Sequence, residues 1–474
     1  MRSKAWLLMA LSTILTATQC RNSDTGSSEH QLGGAPFLIA EGTLTIPQVD
    51  YEPAIYYDAG DPHPHLDFSQ VDAGRIVDKE HVALFLENSY IRLTLLPELG
   101  RVYALYYKPT GHDELWRNDT VTVGGALNDA GWWMWIGGVE YTLPGDEHGT
   151  TWSTPWTWQV LEDSPGRKTV RLEVKERGTS LRERIDLSIY PEKAYYETAI
   201  RISNPTDDTV RFAHWVNPQW APGGRNELTD STEFIIPTDR ILIAEKWQQN
   251  MGPSPQEWAD NRLRFIRGWD KMGDLMADGL SSGFYGAHSH DTEEGIVRVF
   301  DREKTPGVDV WTYGYRPERI PMGSGSPSRG YVEMWGGTSK LYPDERQPLA
   351  PEESLEWIEW MYPYHGTGGL TVADTAVAVS FRSKPDGSAV TVGLCPTGRW
   401  QGTIELWASS DVVATADPAP LRQWHVDLTP TNPFFESISL TDISTVALSD
   451  LELQLRRERG NTRAIALEGA GSRQ

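Results

Sequence analysis

Short segments of alternating apolar and polar residues follow one another along most of the chain. β-Branched and aromatic residues recur at every second position in these segments, and Gly, Pro, Asn or Asp residues separate them, which is the pattern of half-buried β-strands. The clearest predicted strands cover residues 82–86, 90–96, 102–107, 171–176, 181–190 and 195–203. Helical periodicity is scarce, and its best candidate is 255–265, inside a polar insertion at 244–273. The pattern therefore predicts an all-β architecture of many strands.

A glycine-rich segment at 365–369 interrupts this pattern. Beyond it, strand-like segments resume at 370–381, 389–394, 402–408 and 423–428, and again after Ser437. Their spacing is close to that of a small immunoglobulin-like sandwich. The sequence therefore predicts a large sandwich domain over residues 36–366, followed by a small accessory β-sandwich over residues 370–474.

The N-terminus has the features of a targeting segment. Arg2 and Lys4 precede an apolar stretch at 5–17, which is too short to cross a bilayer but has the length of a signal peptide core. Cys20 and a polar stretch follow, an arrangement that resembles a bacterial lipoprotein signal. We expect a signal peptide at 1–20, lipidation at Cys20 and a flexible tether at 21–35. The protein is then exported and lipid-anchored in the cell envelope; without lipidation it is periplasmic or secreted.

The charge of the chain narrows the classes of ligand. With 43 basic and 66 acidic residues, the formal net charge is -23. Such a surface repels phosphate backbones and anionic lipid headgroups, which argues against nucleic-acid binding and against electrostatic membrane docking. Membrane contact is therefore expected only through a lipid anchor, and neutral ligands fit best.

The 20 tryptophans are the most unusual feature of the composition. Sixteen of them lie between Trp116 and Trp360, so the enrichment belongs to the large predicted domain. One interpretation is an aromatic-rich sandwich core, and the other is a set of stacking surfaces for sugar rings. The two interpretations are compatible, and the second predicts a sugar or glycan as the binding partner.

Three segments combine titratable side chains with aromatic residues. Glu140 and His148 follow the tryptophan-rich segment 132–135, and an acid, an imidazole and a stacking surface suit a sugar site. The structural alternative is a solvated turn beside a buried aromatic cluster. His214 lies in the aromatic segment 212–220, where a purely structural histidine is the alternative. Glu333 lies between apolar residues of a predicted strand, where a carboxylate is costly to bury unless it is paired or functional.

His288 and His290 are candidate metal ligands. Two histidines at positions i and i+2 of a strand can face one ion, but no third ligand is identifiable from the sequence. The sequence therefore predicts neither a metal ion nor a cofactor.

Several motifs, in a fixed order, resemble the galactose-mutarotase-like proteins of the aldose 1-epimerase superfamily. They are the strand–turn–strand segment 86–100 with Pro97-Glu98-Leu99-Gly100, then Gly137-Gly138-Val139-Glu140, His148-Gly149, the strand 195–204 leading to His214, and Glu333 ahead of Leu349-Ala350-Pro351-Glu352-Glu353. The likeness covers residues 80–365 and is closest to an uncharacterised bacterial branch of that superfamily. It implies a large antiparallel β-supersandwich.

The resemblance also implies roles for individual residues. Glu333 would be the general base that removes the proton of the anomeric hydroxyl, and His148 or His214 would be the acid that protonates the ring oxygen. The candidate stacking residues are Trp135, Trp152, Trp215 and Trp335, and the candidate hydroxyl partners are Glu140 and Asn217.

Two other functions stay open at this point. A non-catalytic glycan-binding lipoprotein would keep the pocket without the acid–base pair. A polysaccharide lyase or glycosidase-like enzyme would have a cleft long enough for an oligosaccharide. All three functions share a neutral carbohydrate as ligand, and fold alone does not decide between them.

Overall fold

The computed structural model describes residues 36–145, 147–315, 330–342, 345–383 and 390–398, and the backbones of five strands beyond residue 401. The predicted signal peptide, Cys20 and the tether at 21–35 lie outside the described residues. Within the described part of the chain, no helix is both long enough and apolar enough to cross a bilayer.

The described chain is almost entirely built of β-strands. Residues 38–142 form β1 (Leu38–Val49), β2 (Ile55–Tyr56), β3 (His65–Leu66), β4 (Ile76–Glu87), β5 (Ile91–Leu96), β6 (Arg101–Tyr107), β7 (His112–Asp113), β8 (Arg117–Gly125), β9 (Trp132–Gly137) and β10 (Val139–Thr142). Residues 157–242 form β11 (Thr157–Asp163), β12 (Lys168–Lys175), β13 (Arg182–Ile189), β14 (Tyr196–Ser203), β15 (Val210–Phe212), β16 (Trp215–Trp220), β17 (Thr232–Ile235) and β18 (Arg240–Leu242).

The remaining strands lie in the second half of the chain. Residues 256–365 form β19 (Gln256–Glu257), β20 (Gly273–Ala277), β21 (Phe284–Ser289), β22 (Glu294–Phe300), β23 (Gly307–Thr312), β24 (Val332–Gly337), β25 (Gln347–Leu349) and β26 (Ser354–His365). Beyond them follow β27 (Val372–Ala373), β28 (Val377–Ser383), β29 (Val390–Pro396), β30 (Gly402–Ala408), β31 (Trp424–Asp427), β32 (Glu436–Leu440), β33 (Leu451–Arg457) and β34 (Thr462–Ala466). The six strands predicted between residues 82 and 203 correspond to β4, β5, β6, β12, β13 and β14, so these predictions are confirmed.

Two large sheets form the main sandwich. The larger one has 14 strands in the order β19-β18-β20-β23-β24-β16-β10-β6-β5-β4-β1-β8-β9, with β7 paired to β6. The other has 8 strands in the order β11-β12-β13-β14-β26-β22-β21-β17. The pairing within the main sandwich is antiparallel apart from one contact between β1 and β8. The predicted large antiparallel β-supersandwich is therefore confirmed.

The alternation of buried and half-exposed side chains along the strands explains which residues form the core between these sheets. In β14 every second side chain is buried, and the residues between them are half-exposed, because successive side chains of a strand point to opposite faces. The buried set packs against the larger sheet in one continuous apolar cluster, which includes Leu93, Val216, Val332 and Met334 from the larger sheet and Ile185, Ile200 and Trp357 from the smaller one.

The larger sheet carries a second apolar cluster on its other face, which we call the aromatic face. This cluster includes Tyr103, Trp116, Trp132, Trp133, Trp135, Trp152 and Tyr331. Tyr331, which precedes β24, belongs to it, whereas Val332 and Met334 belong to the core between the sheets. Side chains that follow the alternation of Tyr331 therefore point to the aromatic face.

Beyond residue 370 the chain forms two four-stranded sheets, ordered β27-β28-β29-β32 and β31-β30-β33-β34. Leu370, Ala378 and Cys395 share an apolar cluster with Val297 and Tyr364 of the 8-stranded sheet. The predicted renewal of strands after the glycine-rich segment is thus present. Independent folding of residues 370–474 remains a prediction.

The helix predicted at 255–265 is wrong. The one α-helix of the described residues, α1 (Glu245–Met251), lies earlier in the same insertion. It ends at Gly252, whose φ is 102°, and Pro253 and Pro255 follow, so the helix cannot continue. Residues 256–265 form β19 and a 3-10 turn capped by Asn261 instead. The other 3-10 turns are Glu52–Ala54, Phe68–Gln70, Pro97–Leu99, Thr151–Ser153 and Ile266–Gly268.

Candidate functional site

Strand register brings polar side chains from four neighbouring strands to the aromatic face. Glu140 of β10 lies opposite Asn217 of β16, and Gln219 of β16 lies opposite Glu333 of β24. Asp309 of β23 lies opposite Trp335 of β24. Residues directly opposite each other on antiparallel strands point to the same side of the sheet. Carboxylates and amides that are far apart in the sequence therefore become neighbours on one surface.

Glu333 lies at the centre of this group and is only 3% exposed. Its Oε1 accepts hydrogen bonds from Tyr331 Oη at 3.0 Å and Gln219 Nε2 at 3.2 Å. Its Oε2 accepts from Trp335 Nε1 at 3.0 Å and Asn217 Nδ2 at 3.3 Å. Burial raises the pKa of this carboxyl from 4.5 to about 7, although His148 and the hydrogen-bond donors act in the opposite direction. The group can therefore both release and accept a proton near neutral pH.

His148 forms a charged pair with Glu140. Burial alone would lower the pKa of His148, but the Glu140 carboxylate, whose Oε2 lies 3.0 Å from Nδ1, raises it above its usual value. Burial would likewise raise the pKa of Glu140, yet the Arg101 guanidinium, 3.0 Å from Oε1, and His148 hold it below its usual value. Glu140 thus favours the charged form of His148, and Arg101 and His148 favour the charged form of Glu140.

Aromatic rings surround these charged groups. The imidazole of His148 stacks on Trp133 with ring centroids 3.7 Å apart, and the ring of Trp335 is 5.2 Å from it. Because Trp335 also donates to Glu333, one side chain contacts both the histidine and the glutamate. Tyr342 lies 4.7 Å from Trp335 and accepts a hydrogen bond from the backbone N–H of His148. The Glu333 carboxyl, the His148 imidazole and these aromatic rings therefore belong to one cluster.

Two glycines set the position of Glu140. Gly138 has a φ of 78°, and a Cβ there would lie 2.2 Å from the carbonyl oxygen of Val102 in β6. Gly137, with a φ of 100°, would bring a Cβ within 2.5 Å of the Trp116 carbonyl. The paired glycines therefore allow a close approach of backbones.

Two side chains of the site have oxygen atoms that could still accept a hydrogen bond. Asn217 Oδ1 and Gln219 Oε1 are buried and have no hydrogen-bond partner among the described residues. Both amides already donate to Glu333, so their carbonyl oxygens are the free ends. Buried acceptors without a partner cost about 1–3 kcal/mol each, and a ligand hydroxyl would satisfy them.

A second carboxyl pair borders the cluster. Asp274 of β20 and Asp309 of β23 adjoin each other, and burial followed by the charge of Asp274 raises the pKa of Asp309 well above its usual range. Burial also raises the pKa of Asp274. Two close carboxyls in a buried environment share a proton, because both cannot ionise at once. Glu333 adds to the raised pKa of Asp309, which links this pair electrostatically to the central glutamate.

The structure brings five of the predicted site residues into one cluster: Glu140, His148, Asn217, Glu333 and Trp335. Trp215 packs in one apolar cluster with Trp335. Trp135 is a further neighbour, since its ring centroid is 6.0 Å from that of Tyr331.

Trp152 supports the site indirectly. Its ring packs edge-on against Trp132 at 4.6 Å, and its Nε1 donates to the carbonyl of Gly149 at 3.1 Å. It therefore holds the loop that carries His148, whose φ of 62° is itself in the left-handed region.

His214 lies away from this cluster. Its Nε2 is 2.7 Å from Glu183 Oε1 of β13, and its ring is 5.1 Å from that of Trp357 in β26. Both partners belong to the 8-stranded sheet, so the His214 side chain points into the core between the sheets. Of the two histidines proposed as the acid, only His148 lies beside Glu333.

Six residues of the cluster were not predicted: Arg101, Trp133, Gln219, Asp309, Tyr331 and Tyr342. Gln219 and Tyr331 each lie two positions from a predicted residue, and strand alternation would have placed them on the same face. Arg101 and Asp309 gave no such signal, because their neighbours become apparent only from the pairing of distant strands.

The family comparison matches residues 58–360 to the family described as "Domain of unknown function (DUF5107)", which is more than half of the chain. Among solved structures, a TPR-domain containing protein from Parabacteroides distasonis is 19% identical, with a TM-score of 0.58. That match covers 70% of this chain but only 55% of the other protein, so this chain spans little more than half of its length. At this identity the similarity shows a shared fold.

Two further similar structures are more distant. The Slr1438 protein from Synechocystis is 15% identical, with a TM-score of 0.45 and coverage of 66% of this chain and 100% of that one. A putative mutarotase, YeaD, from Salmonella typhimurium is 10% identical, with a TM-score of 0.46 and coverage of 60% and 91%. A protein named as a putative mutarotase thus occurs among the structures similar to this chain. By the extent of the family match, this chain belongs to the DUF5107 family.

Proposed function

We propose that this protein binds a neutral sugar or glycan on the aromatic face and interconverts its anomers by acid–base chemistry. Glu333 is the general base and His148 the general acid. The observation that carries the proposal is a buried carboxyl with a pKa of about 7, in one cluster with a histidine whose pKa is raised.

The ionisation of the two groups suits these roles. A general base works best when its pKa lies close to the working pH, and the Glu333 carboxyl meets that condition. The raised pKa of His148 favours its protonated form, the imidazolium, which can donate a proton. Glu140 stabilises this imidazolium by its charge and orients it through Nδ1, which leaves Nε2 to face a substrate.

The reaction balances with these two groups. Glu333 takes the proton of the anomeric hydroxyl, a C=O double bond forms at the anomeric carbon, and the bond from that carbon to the ring oxygen breaks. His148 gives its proton to the departing ring oxygen. Rotation of the aldehyde and the reverse proton transfers close the ring as the other anomer.

The remaining groups suit a sugar. The free carbonyl oxygens of Asn217 and Gln219 accept hydroxyl hydrogens, and Trp133 and Trp335 offer apolar ring faces near the imidazole. The formal net charge of -23 favours a neutral ligand over an anionic one.

A binding and turnover assay tests the proposal. Saturation-transfer NMR with a panel of free aldoses and neutral oligosaccharides identifies ligands, and NMR exchange between anomers measures turnover above the uncatalysed rate. We expect Glu333→Gln to keep binding and to lower turnover by about two to four orders of magnitude. Glu183→Gln is the matched control, because Glu183 is equally buried and bonds to a histidine but lies in the other sheet.

The outcomes separate the competing functions. Binding without turnover by the unaltered protein would favour the non-catalytic glycan-binding protein, and cleavage of an oligosaccharide would favour a lyase or glycosidase. Failure of every sugar to bind would overturn the proposal altogether.

A further inference from the structure

A second group of chemically active side chains lies on the smaller sheet, at the turn between β21 and β22. His288 is near the end of β21, and His290 and Glu293 belong to the turn itself. One potential ligand atom from each of the three residues lies within 4.8 Å of the others. The sequence showed the two histidines without a third ligand, and the turn brings Glu293 to them.

His288 is the unusual member of this group. It is 0% exposed, yet neither of its ring nitrogens has a hydrogen-bond partner among the described residues. Buried polar groups in folded proteins almost always have a partner, and leaving one without costs about 1–3 kcal/mol. A metal ion bound to one ring nitrogen would give that nitrogen the partner it lacks. A neutral imidazole is the form that binds a metal ion.

His290 already has the outer contact of a metal ligand. Its Nε2 lies 2.9 Å from Glu233 Oε2, which leaves Nδ1 as the free ring nitrogen. Histidines that bind metal ions usually donate their other ring N–H to a carboxylate or a carbonyl, which fixes the ring and raises its basicity. The partial exposure of His290 and the exposed position of Glu293 give an ion a path from solvent.

We propose that His288, His290 and Glu293 bind a divalent transition-metal ion, and that Zn²⁺ suits this ligand set best. Two imidazole nitrogens and one carboxylate oxygen are typical zinc ligands, and three protein ligands leave a fourth position for water. Two nitrogens bound to one zinc at about 2.1 Å can be at most about 4.2 Å apart. Closing the observed group therefore needs side-chain movements of about 1 Å or less.

Two guanidinium groups lie near the turn: Arg264, which forms an ion pair with Glu233, and Arg382, which is close to His288. Asp291 and Glu293 belong to the turn itself, so acidic residues accompany the basic ones. The site belongs to the smaller sheet, so the inference does not depend on the function of the Glu333 cluster.

Zinc titration of the full chain tests this inference. The protein is freed of metal with a chelator, and isothermal titration with Zn²⁺ and native mass spectrometry then measure affinity and stoichiometry. Co²⁺ in place of Zn²⁺ gives an absorption spectrum that reports the ligands. We expect one ion per chain, a rise in melting temperature on binding, and loss of both effects in His290→Ala and Glu293→Gln.

Two further variants sharpen the test. Glu233→Gln removes the negative charge next to His290 and should weaken binding by about 10- to 100-fold without abolishing it. His65→Gln is the matched control, because His65 also lies 2.9 Å from a carboxylate, that of Asp61, but is not part of the turn. It should bind Zn²⁺ as the unaltered protein does. Zinc binding that is absent from the unaltered protein, or equally strong in His290→Ala and Glu293→Gln, would overturn the inference.

Discussion

Replacing Glu333 by Gln changes one ionisable group at the centre of the aromatic face while keeping its shape. The carboxylate accepts four hydrogen bonds, and a Gln side chain can keep most of them. Trp335 can only donate, so the Gln carbonyl oxygen should face it. The Gln amide nitrogen then faces Tyr331 and Gln219, whose hydroxyl and side-chain amide can turn to accept. We therefore expect Glu333→Gln to fold.

The expected effect on stability follows from the raised pKa. The folded carboxyl keeps its proton up to about pH 7, whereas the unfolded chain loses it near 4.5. The folded state of the unaltered protein thus binds more protons between these values, and its free energy of unfolding falls as pH rises through this window. A shift from 4.5 to about 7 corresponds to about 3 kcal/mol. Gln does not titrate, so the stability of Glu333→Gln relative to the unaltered protein should rise by about that amount across the window.

Urea unfolding of both proteins at several pH values from 4.5 to 8 measures this difference, and it requires no substrate. The difference between the two free energies of unfolding should grow by about 3 kcal/mol between pH 4.5 and pH 7.5 and then level off. A difference that stays constant over the whole range would show that the carboxyl of Glu333 titrates alike in the folded and unfolded states. It would also remove the main physical support for Glu333 as a base.

Three further outcomes are expected. His148→Asn keeps a residue type that tolerates the left-handed backbone at this position, so its melting temperature should stay close to that of the unaltered protein. Sugar turnover should fall by about 100-fold or more and lose the decline at high pH that a histidine acid with a raised pKa imposes, and an unchanged pH profile would count against His148. Gly138→Ala should lower the free energy of unfolding by about 2–5 kcal/mol in urea titrations, because the new Cβ meets a carbonyl oxygen. Gly131→Ala, with a similar φ and open space, should cost only about 1–2 kcal/mol, and equal losses would contradict a close approach at Gly138. Arg298→Met should cost about 3–5 kcal/mol because it leaves the buried Glu359 unpaired, and the double variant Arg298→Met/Glu359→Leu should regain most of that loss; no recovery would refute this explanation.

Local alternation was enough to predict six strands of the main sandwich, β4, β5, β6, β12, β13 and β14. The runs at 182–189 and 196–203 alternate clearly, because one face of the smaller sheet is buried and the other meets solvent. Prediction from periodicity failed in the insertion at 244–273. Its helical pattern at 255–265 competes with Pro255 and with the capping of a 3-10 turn by Asn261, and local backbone restrictions outweighed the periodicity.

Residues of the candidate site could be predicted where a single short segment of the sequence pointed to them. Glu333 and Trp335 are two residues apart, and Glu140 follows the paired glycines, so the sequence itself indicated them. The sequence could not predict that His148 and His214 lie in different places, because their positions depend on which sheet each side chain faces. Arg101 was missed for the same reason: its contact with Glu140 exists only after β6 and β10 have paired.

The strand pairing that brings the site residues together on the aromatic face also affects how the candidate site forms during folding. Gln219 and Glu333 are 114 positions apart along the chain, and Arg101 and Glu140 are 39 apart. Closing such long loops costs entropy before any contact offsets it, and non-local pairing of this kind makes folding slow. A chain that has paired only its neighbouring hairpins would hold no partial site. A sugar added during refolding should therefore leave the folding rate unchanged and slow unfolding, because it binds only after the last strands have paired.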